Sequence, residues 1–241
     1  MNGKEKHRQK RFSLSLKRVI DYLGAALMLL LLFPVMALIA LLIKLDSRGP
    51  VLFRQVRLGL GERPFTMYKF RTMIPGAEQG GLSVLPSDPR VTSVGHWLRS
   101  LSLDELPQLI HILTGDMSLV GPRPLLPEQV EQMTAYERRR LQMPPGLTNF
   151  AVLYGRNRLT FEERMRLDVW YVEHWSLWLD AQILWKTPWI ALRGEGAYTS
   201  PEAAAAAARR QVDRSAASAL SDPPFLDPHV PVDDYKHGSR K

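Results

Sequence analysis

From Leu23 to Ile43 the chain reads LGAALMLLLLFPVMALIALLI, 21 residues without a charged side chain. As a straight helix this run would reach about 31 Å at 1.5 Å per residue, close to the hydrocarbon thickness of a bilayer. It is too long for a secretory signal, and no small-x-small cleavage site with a polar start follows it. The plain reading is one membrane helix, but two features bear on how it sits. Pro34 lies mid-run, where it removes a backbone donor and kinks a helix. Lys17 and Arg18 precede the run, and Lys44, Arg48, Arg54 and Arg57 follow it. A spanning helix usually has a lopsided Lys/Arg distribution. Charge at both ends instead suits a segment that dips in, bends at Pro34 and returns. Prolines are also tolerated in true spans, so the residues by themselves leave both forms open.

The net charge of +8 is localised. Residues 1–18 hold seven Lys or Arg against one acid, whereas residues 199–241 hold six of each sign. A nucleic-acid-binding domain spreads its basic residues over a folded face. A short basic arm beside an apolar run suits anionic lipid headgroups, at about 1 kcal/mol per basic residue near the surface. Membrane lipids, and no nucleic acid, are therefore the expected partners. The absence of cysteine excludes disulfides, thiolate nucleophiles and Cys-metal sites. With 241 residues, 45% of them hydrophobic, the chain suits one domain with appendages: a basic arm and membrane helix over 1–48, a main domain over 49–198, and a low-complexity, flexible tail over 199–241.

Within the main domain, Val51–Gln55 and Pro64–Thr72 read as short strands around the Gly59–Gly61 turn. Residues 75–95 are rich in Gly, Pro, Ser and Asp and read as a loop. His96–Ser100 suits one helical turn. Leu103–Thr114 reads as a helix with Leu106, Leu109, Ile110 and Leu113 on one face, stopped by Gly115. Pro127–Met143 reads as a polar helix, and Thr160–Leu192 as a long helical region broken before Pro188. That last region holds Trp170, Trp175, Trp178, Trp185 and Trp189. With Tyr171, Arg164, Arg166 and Lys186 they suit a helix in the headgroup layer, against the alternative of an aromatic core stripe. The expected class is α+β, mostly helical, with a membrane helix, amphipathic interfacial helices and a short β-hairpin.

No Walker A, GxGxxG after a strand, or HExxH occurs, and the six histidines lack metal-ligand spacing. His111 reads as a helix-face or core residue. The chemistry concentrates in LDELPQL, residues 103 to 109. Asp104 and Glu105 stand side by side in an apolar frame. Ser102-Leu-Asp-Glu105 matches a capping box, and acids in a first turn favour the helix dipole, so the pair has a purely structural reading. The same helix end would keep Asp104 ionised. An ionised carboxylate can attack phosphorus to give an acyl-phosphate, and adjacent carboxylates can hold Mg²⁺ together with substrate phosphates. Lys69 and Arg71 in YKFRTM, Arg99 in WLRSLS and Arg123 in GPRP supply cations, Arg123 between Pro122 and Pro124.

Taken together, KRVIDYLGA, GPVLFRQVRLG, FTMYKFRTM, SDPRVTSVGHWLRSLSLDELPQL, GDMSLVGPRPLLP, PPGLTNFAVLYGRN and LDVWYVEHWSLWLD run in order from about Lys17 to Arg193. In these motifs the chain resembles the bacterial sugar transferase family, the monotopic phosphoglycosyl transferases, in their small form. The resemblance implies an enzyme at the cytoplasmic face of the bacterial inner membrane. It would move a phosphosugar from a UDP-sugar to undecaprenyl phosphate and release UMP. It also implies Asp104 as nucleophile, Glu105 as a holder of Mg²⁺, and a re-entrant helix broken at Pro34. Lys69, Arg71, Arg99, Arg123 and Asp168 would line the site, with Pro122 and Pro124 shaping the loop. Where relatives commonly read PGITGWAQVNGRN, this chain has Asn149, Phe150, Val152 and Tyr154 in place of Gly, Trp, Gln and Asn, in a region expected near the nucleotide-sugar site. Protein partners in view are a second copy of the chain or a downstream glycosyltransferase. Rivals are a non-enzymatic membrane anchor, and a phosphohydrolase that passes the phosphosugar to water.

Overall fold

A computed structural model describes residues 3–77, 84–85, 87–194, 196–200 and 205, with side chains from residue 13 onward. The basic arm's side chains before residue 13 and almost all of the tail beyond residue 200 lie outside the described residues. Helix α1 runs from Gly3 to Asp46. Pro34 lies inside it, and the helix continues on both sides instead of ending there. A mid-helix proline forfeits its own N–H and crowds the carbonyl one turn back, which can bend a helix without stopping it.

One ridge of α1 packs against the rest of the chain. Lys17, Asp21, Ala25, Ile39 and Ile43 are buried, two groups spaced by fours, with Ala25 and Ile39 fourteen positions apart. Leu23, Leu30, Leu31, Phe33, Leu38 and Leu45 remain exposed. So large an apolar face on one helix marks membrane association. The two halves of α1 enter different cores. Ala25 joins Leu109, Ile112, Met117, Val120, Phe150, Tyr171 and Ile183. Ile39 and Ile43 join Phe70 and Leu98. A further core gathers Leu125, Val130, Met133, Leu141 and Met165.

A buried polar clasp fixes the first half of α1. Lys17 Nζ donates to Asp180 Oδ2 at 2.7 Å and to the Val120 carbonyl at 3.0 Å. Ser118 Oγ and the Leu119 N–H donate to Asp21. At the other end Arg71 donates to the Ser47 carbonyl at 2.8 Å and to the Arg48 carbonyl, satisfying acceptors that a helix end leaves bare.

Strands β1 (Leu52–Leu58) and β2 (Pro64–Phe70) form the expected antiparallel hairpin, with Leu52 opposite Phe70 and Leu58 opposite Pro64. Helix α2 covers Ser93–Ser100, longer than one turn. The predicted helix over 103–114 is divided. Leu103–Gln108 is a 3-10 helix, because Pro107 cannot donate a backbone hydrogen bond, and α3 spans Leu109–Thr114. Its inner face is Leu109 and Ile112; Ile110 and Leu113, expected inside, are exposed.

Strand β3 (Ser118–Val120) pairs in parallel with β4 (Gly146–Thr148), a contact not anticipated from the sequence. Here glycine is required by space. A Cβ on Gly121 would lie 2.2 Å from the Pro144 carbonyl oxygen, and one on Gly146 would lie 2.1 Å from the Gly121 nitrogen. The polar helix expected over 127–143 is instead α4 (Pro127–Glu131) and a separate 3-10 helix, Glu137–Gln142.

The carboxy-terminal helical region breaks at Trp175–Ser176 rather than before Pro188, giving α5 (Phe161–His174) and α6 (Leu177–Leu192). Thr160 and Ser176 cap the two starts through their side chains. The five tryptophans divide between the two readings. Trp178, Trp185 and Trp189 share one face of α6 and are 72%, 74% and 59% exposed, as an interfacial helix requires. Trp170 stacks on Phe150, and Trp175 Nε1 donates to Asp180, so these two belong to the interior.

Candidate active site

The β-hairpin, the 3-10 helix Leu103–Gln108, the GPRP loop and α5 enclose a cavity of about 980 Å³. Asp104 and Glu105 line it, as do Pro50, Leu52 and Phe53, just past the end of α1. The cavity therefore begins where the membrane helix ends.

The expected capping box does not form. Ser102 is left-handed (φ 61°) and makes no cap through its side chain. Its Oγ instead accepts from Arg156 Nη2 at 2.8 Å. Glu105, freed from capping, turns to the cations. Lys69 Nζ donates to Glu105 Oε1 at 2.8 Å, and Arg123 Nη2 reaches the same oxygen at 3.3 Å. Lys69 is delivered by the hairpin register, opposite Phe53 on β1.

The adjacent carboxyls are therefore unlike. Burial pushes both up. At Glu105 the charges of Lys69 and Arg123 overcome it and hold the carboxyl well below its usual range. At Asp104 burial prevails over Lys69, the Glu105 charge adds to it, and the carboxyl is raised. The Asp104 carboxylate makes no hydrogen bond or ion pair among the described residues. The residue lines the cavity. Ionisation of Asp104 thus rests on the surrounding cations, not on a capped helix end.

Arg123 is held by its backbone. The Gly121 N–H donates to the Thr148 carbonyl at 3.0 Å, and the Gly146 N–H to the Pro122 carbonyl at 2.9 Å. Arg140 Nη2 donates to the Arg123 carbonyl and pairs with Asp168 Oδ2. Asp168 lies on the cavity wall, but its charge is taken by Arg140. Its visible work is to steady the loop that carries Arg123. Arg71 also lines the wall while its guanidinium binds the end of α1. Arg99, on α2, donates to Thr72 Oγ1 at 3.2 Å.

Four further arginines line the cavity that motif reading did not single out: Arg54, Arg57, Arg156 and Arg164. Burial, with Arg123 nearby, lowers Arg57 and Arg164 to about 10. Arginines crowd together at such a cost only where anionic charge relieves them. Arg156 belongs to the quoted GRN stretch, where Gly155 at φ 126° could have signalled a turn aimed at a site. Arg57 and Arg164 carried no such signal. His111 is a core residue whose Nε2 accepts from the Tyr68 N–H at 3.1 Å.

The stretch that departs from the family pattern divides likewise. Asn149 and Val152 line the cavity. Phe150 is buried against Trp170, with Tyr154 edge-on to it.

Two carboxylates, one fixed and one open, in a cavity lined by basic side chains that include Arg57, Lys69, Arg99, Arg123, Arg156 and Arg164, can bind a polyanion such as a diphosphate and attack it. No group of three or more metal-ligating side chains occurs among the described residues. The pair still suits Mg²⁺, which takes one or two carboxylates and completes its shell with substrate phosphates and water.

Comparison with known proteins shows the family. The family described as bacterial sugar transferase matches residues 12–194. The uncharacterized sugar transferase EpsL of Bacillus subtilis is 46% identical over 182 residues, covering 75% of this chain and 89% of that protein. UDP-glucose:undecaprenyl-phosphate glucose-1-phosphate transferase of Escherichia coli is 41% identical over 192 residues, covering 76% and 41%. Undecaprenyl-phosphate galactose phosphotransferase of Salmonella typhimurium is 36% identical over 205 residues, covering 78% and 43%. The chain thus spans less than half the length of the last two.

Proposed function

The chain belongs to the bacterial sugar transferase family and with it to the sugar-phosphate transferases, and we propose that it moves a phosphosugar from a UDP-sugar to undecaprenyl phosphate. The observation that carries the proposal is the unlike pair. Glu105 is fixed by Lys69 and Arg123, while Asp104 is left open to a cationic cavity beside the membrane helix. An Asp104 carboxylate oxygen attacks the sugar-bearing phosphorus. The bond from that phosphorus to the bridging oxygen breaks, and UMP leaves with the electron pair. An oxygen of undecaprenyl phosphate then attacks the same phosphorus and displaces Asp104, giving the undecaprenyl-diphosphate sugar. The arginines and Lys69 neutralise the diphosphate as charge shifts to the leaving group. Mg²⁺ on Asp104 and Glu105 would add charge stabilisation to the bound phosphates.

Such a covalent route predicts ping-pong kinetics. With a UDP-sugar alone, the enzyme should release at most about one UMP per chain and gain a phosphosugar adduct on Asp104. A panel of UDP-sugars, with and without undecaprenyl phosphate and Mg²⁺, tests this and identifies the sugar. Steady UMP release without lipid would favour the hydrolase. No release with any donor would favour a non-enzymatic anchor.

The reading places the catalytic unit at the cytoplasmic face of the inner membrane, with α1 re-entrant. The support is contact. Asp21 and Ile43 would stand about 33 Å apart along a straight helix, a bilayer's thickness. Yet both pack against the same folded unit. A helix crossing the bilayer could not bring both ends to one side. Single cysteines at Asn2 and Ser200 should therefore both resist an impermeant reagent in intact cells and both label after lysis. Labelling at Asn2 from outside would mean a true span. In a Pro34→Leu background some labelling at Asn2 is expected, since the apolar helix is then free to straighten.

A further inference from the structure

The cavity has one wall that lies past residue 194, where the match to the family ends. Residues 196–200 cross from the Arg156 turn to α2. Gly196 takes φ 64°, and its carbonyl accepts from the Asn157 N–H. A Cβ there would lie 2.3 Å from the Gly155 carbonyl oxygen and 2.9 Å from Arg156 Cβ, so this backbone is pressed onto the arginine turn. Asn157 Nδ2 donates to the Ala197 carbonyl at 3.1 Å. On the far side the Tyr198 hydroxyl lies 2.8 Å from His96 Nδ1, one helical turn before Arg99 on α2. The Thr199 N–H donates to the Val84 carbonyl at 3.2 Å. Ala197 and Thr199 face the cavity, while Tyr198 holds α2.

We propose that Gly196–Ser200 is a positioning strap. It ties the Arg156 turn to the Arg99 helix and so sets the gap in which the two guanidinium groups grip a diphosphate beside Asp104. Tyr198 is its positioning residue and Gly196 its contact point. The two arginines lie 57 positions apart in sequence, on a helix and on an irregular turn. One side-chain bond, Arg156 to Ser102, links the turn to the residues just past α2, and the strap adds backbone and side-chain bonds to both elements. The proposal rests on the donor being a nucleoside diphosphate sugar, because only then do paired arginines need a fixed spacing.

The test uses the full chain in nanodiscs, with inorganic pyrophosphate as the probe and UDP-sugar turnover measured in parallel. Tyr198→Phe deletes the hydroxyl and keeps the ring. Gly196→Ala forces the strap off the turn. Each should weaken pyrophosphate binding, by about tenfold for Tyr198→Phe, which loses the hydroxyl's contacts with His96 Nδ1 and the His96 carbonyl, and by more for Gly196→Ala. Donor KM should rise in step, with kcat nearly unchanged, as for lost ground-state binding. Melting midpoints report folding separately. Variants that melt earlier yet bind pyrophosphate as the parent does would reduce the strap to scaffolding and overturn the proposal. So would a parent that binds no pyrophosphate. Weakened pyrophosphate binding in the variants, with no UDP-sugar turned over by the parent, would keep the strap and reject the donor.

Discussion

Asp104→Asn is expected to give a folded protein that has lost turnover by about three orders of magnitude or more, as for removal of a covalent nucleophile. The Asp104 carboxylate makes no hydrogen bond or ion pair among the described residues, so an amide of equal size breaks no contact. The fold should even gain slightly, because burial and the neighbouring Glu105 charge both disfavour a charged Asp104. What is lost is the lone-pair charge that attacks phosphorus. UMP release and intact mass after incubation with the donor measure the effect, and a melting curve checks the fold. Turnover near the parent's would remove the covalent route. Glu105→Gln makes a useful contrast. It should also abolish turnover, but it strips Lys69 and Arg123 of their shared counter-charge, so its melting midpoint should fall where that of Asp104→Asn does not.

Asp180→Ala is expected to cost about 3–5 kcal/mol of stability, the usual penalty for orphaning a buried charge. Lys17 and Asp180 are 6% and 9% exposed, with nitrogen and oxygen 2.7 Å apart. Asp180 also accepts from the Tyr171 hydroxyl at 2.6 Å and from Trp175 Nε1 at 3.1 Å. Removing it leaves an ammonium with only Asp21, 3.7 Å away, and the Val120 carbonyl. The readout is a lowered melting midpoint in detergent, together with faster proteolysis near the start of the main fold as α1 loosens. Lys17→Met in the Asp180→Ala background should recover part of the loss, since the Lys17 ammonium is then gone, but only part, because buried Asp21 loses the cation beside it. A single variant as stable as the parent would show that Lys17 escapes to water and that the clasp does not hold α1.

The amino-acid sequence determined the parts set by neighbours along the chain. An uncharged run of bilayer length, a hairpin closed by a glycine turn and a pair of acids before an apolar helix are local patterns. Each follows from hydropathy or from turn chemistry within about ten residues. The motifs that named the family are local in the same sense, and they brought Asp104, Glu105, Lys69, Arg99 and Arg123 into view as candidates. Local rules also misled. Ser102-x-x-Glu105 has the spacing of a capping box, yet Pro107 shifts the turn to 3-10 geometry, and Lys69 and Arg156 claim the two side chains. The tertiary structure alone decided that the two carboxyls are unlike, Glu105 held low and Asp104 raised. Glu105 hydrogen-bonds to Lys69 from 36 residues away and to Arg123 from 18, while Asp104 hydrogen-bonds to neither. It likewise turned Asp168 toward Arg140, set β3 beside β4, and joined Lys17 to Asp180 across 163 residues. Such pairings rest on burial, which raises the energy of an isolated charge and so makes distant partners obligatory. Burial is a property of the folded surface and has no period in the sequence from which to be read.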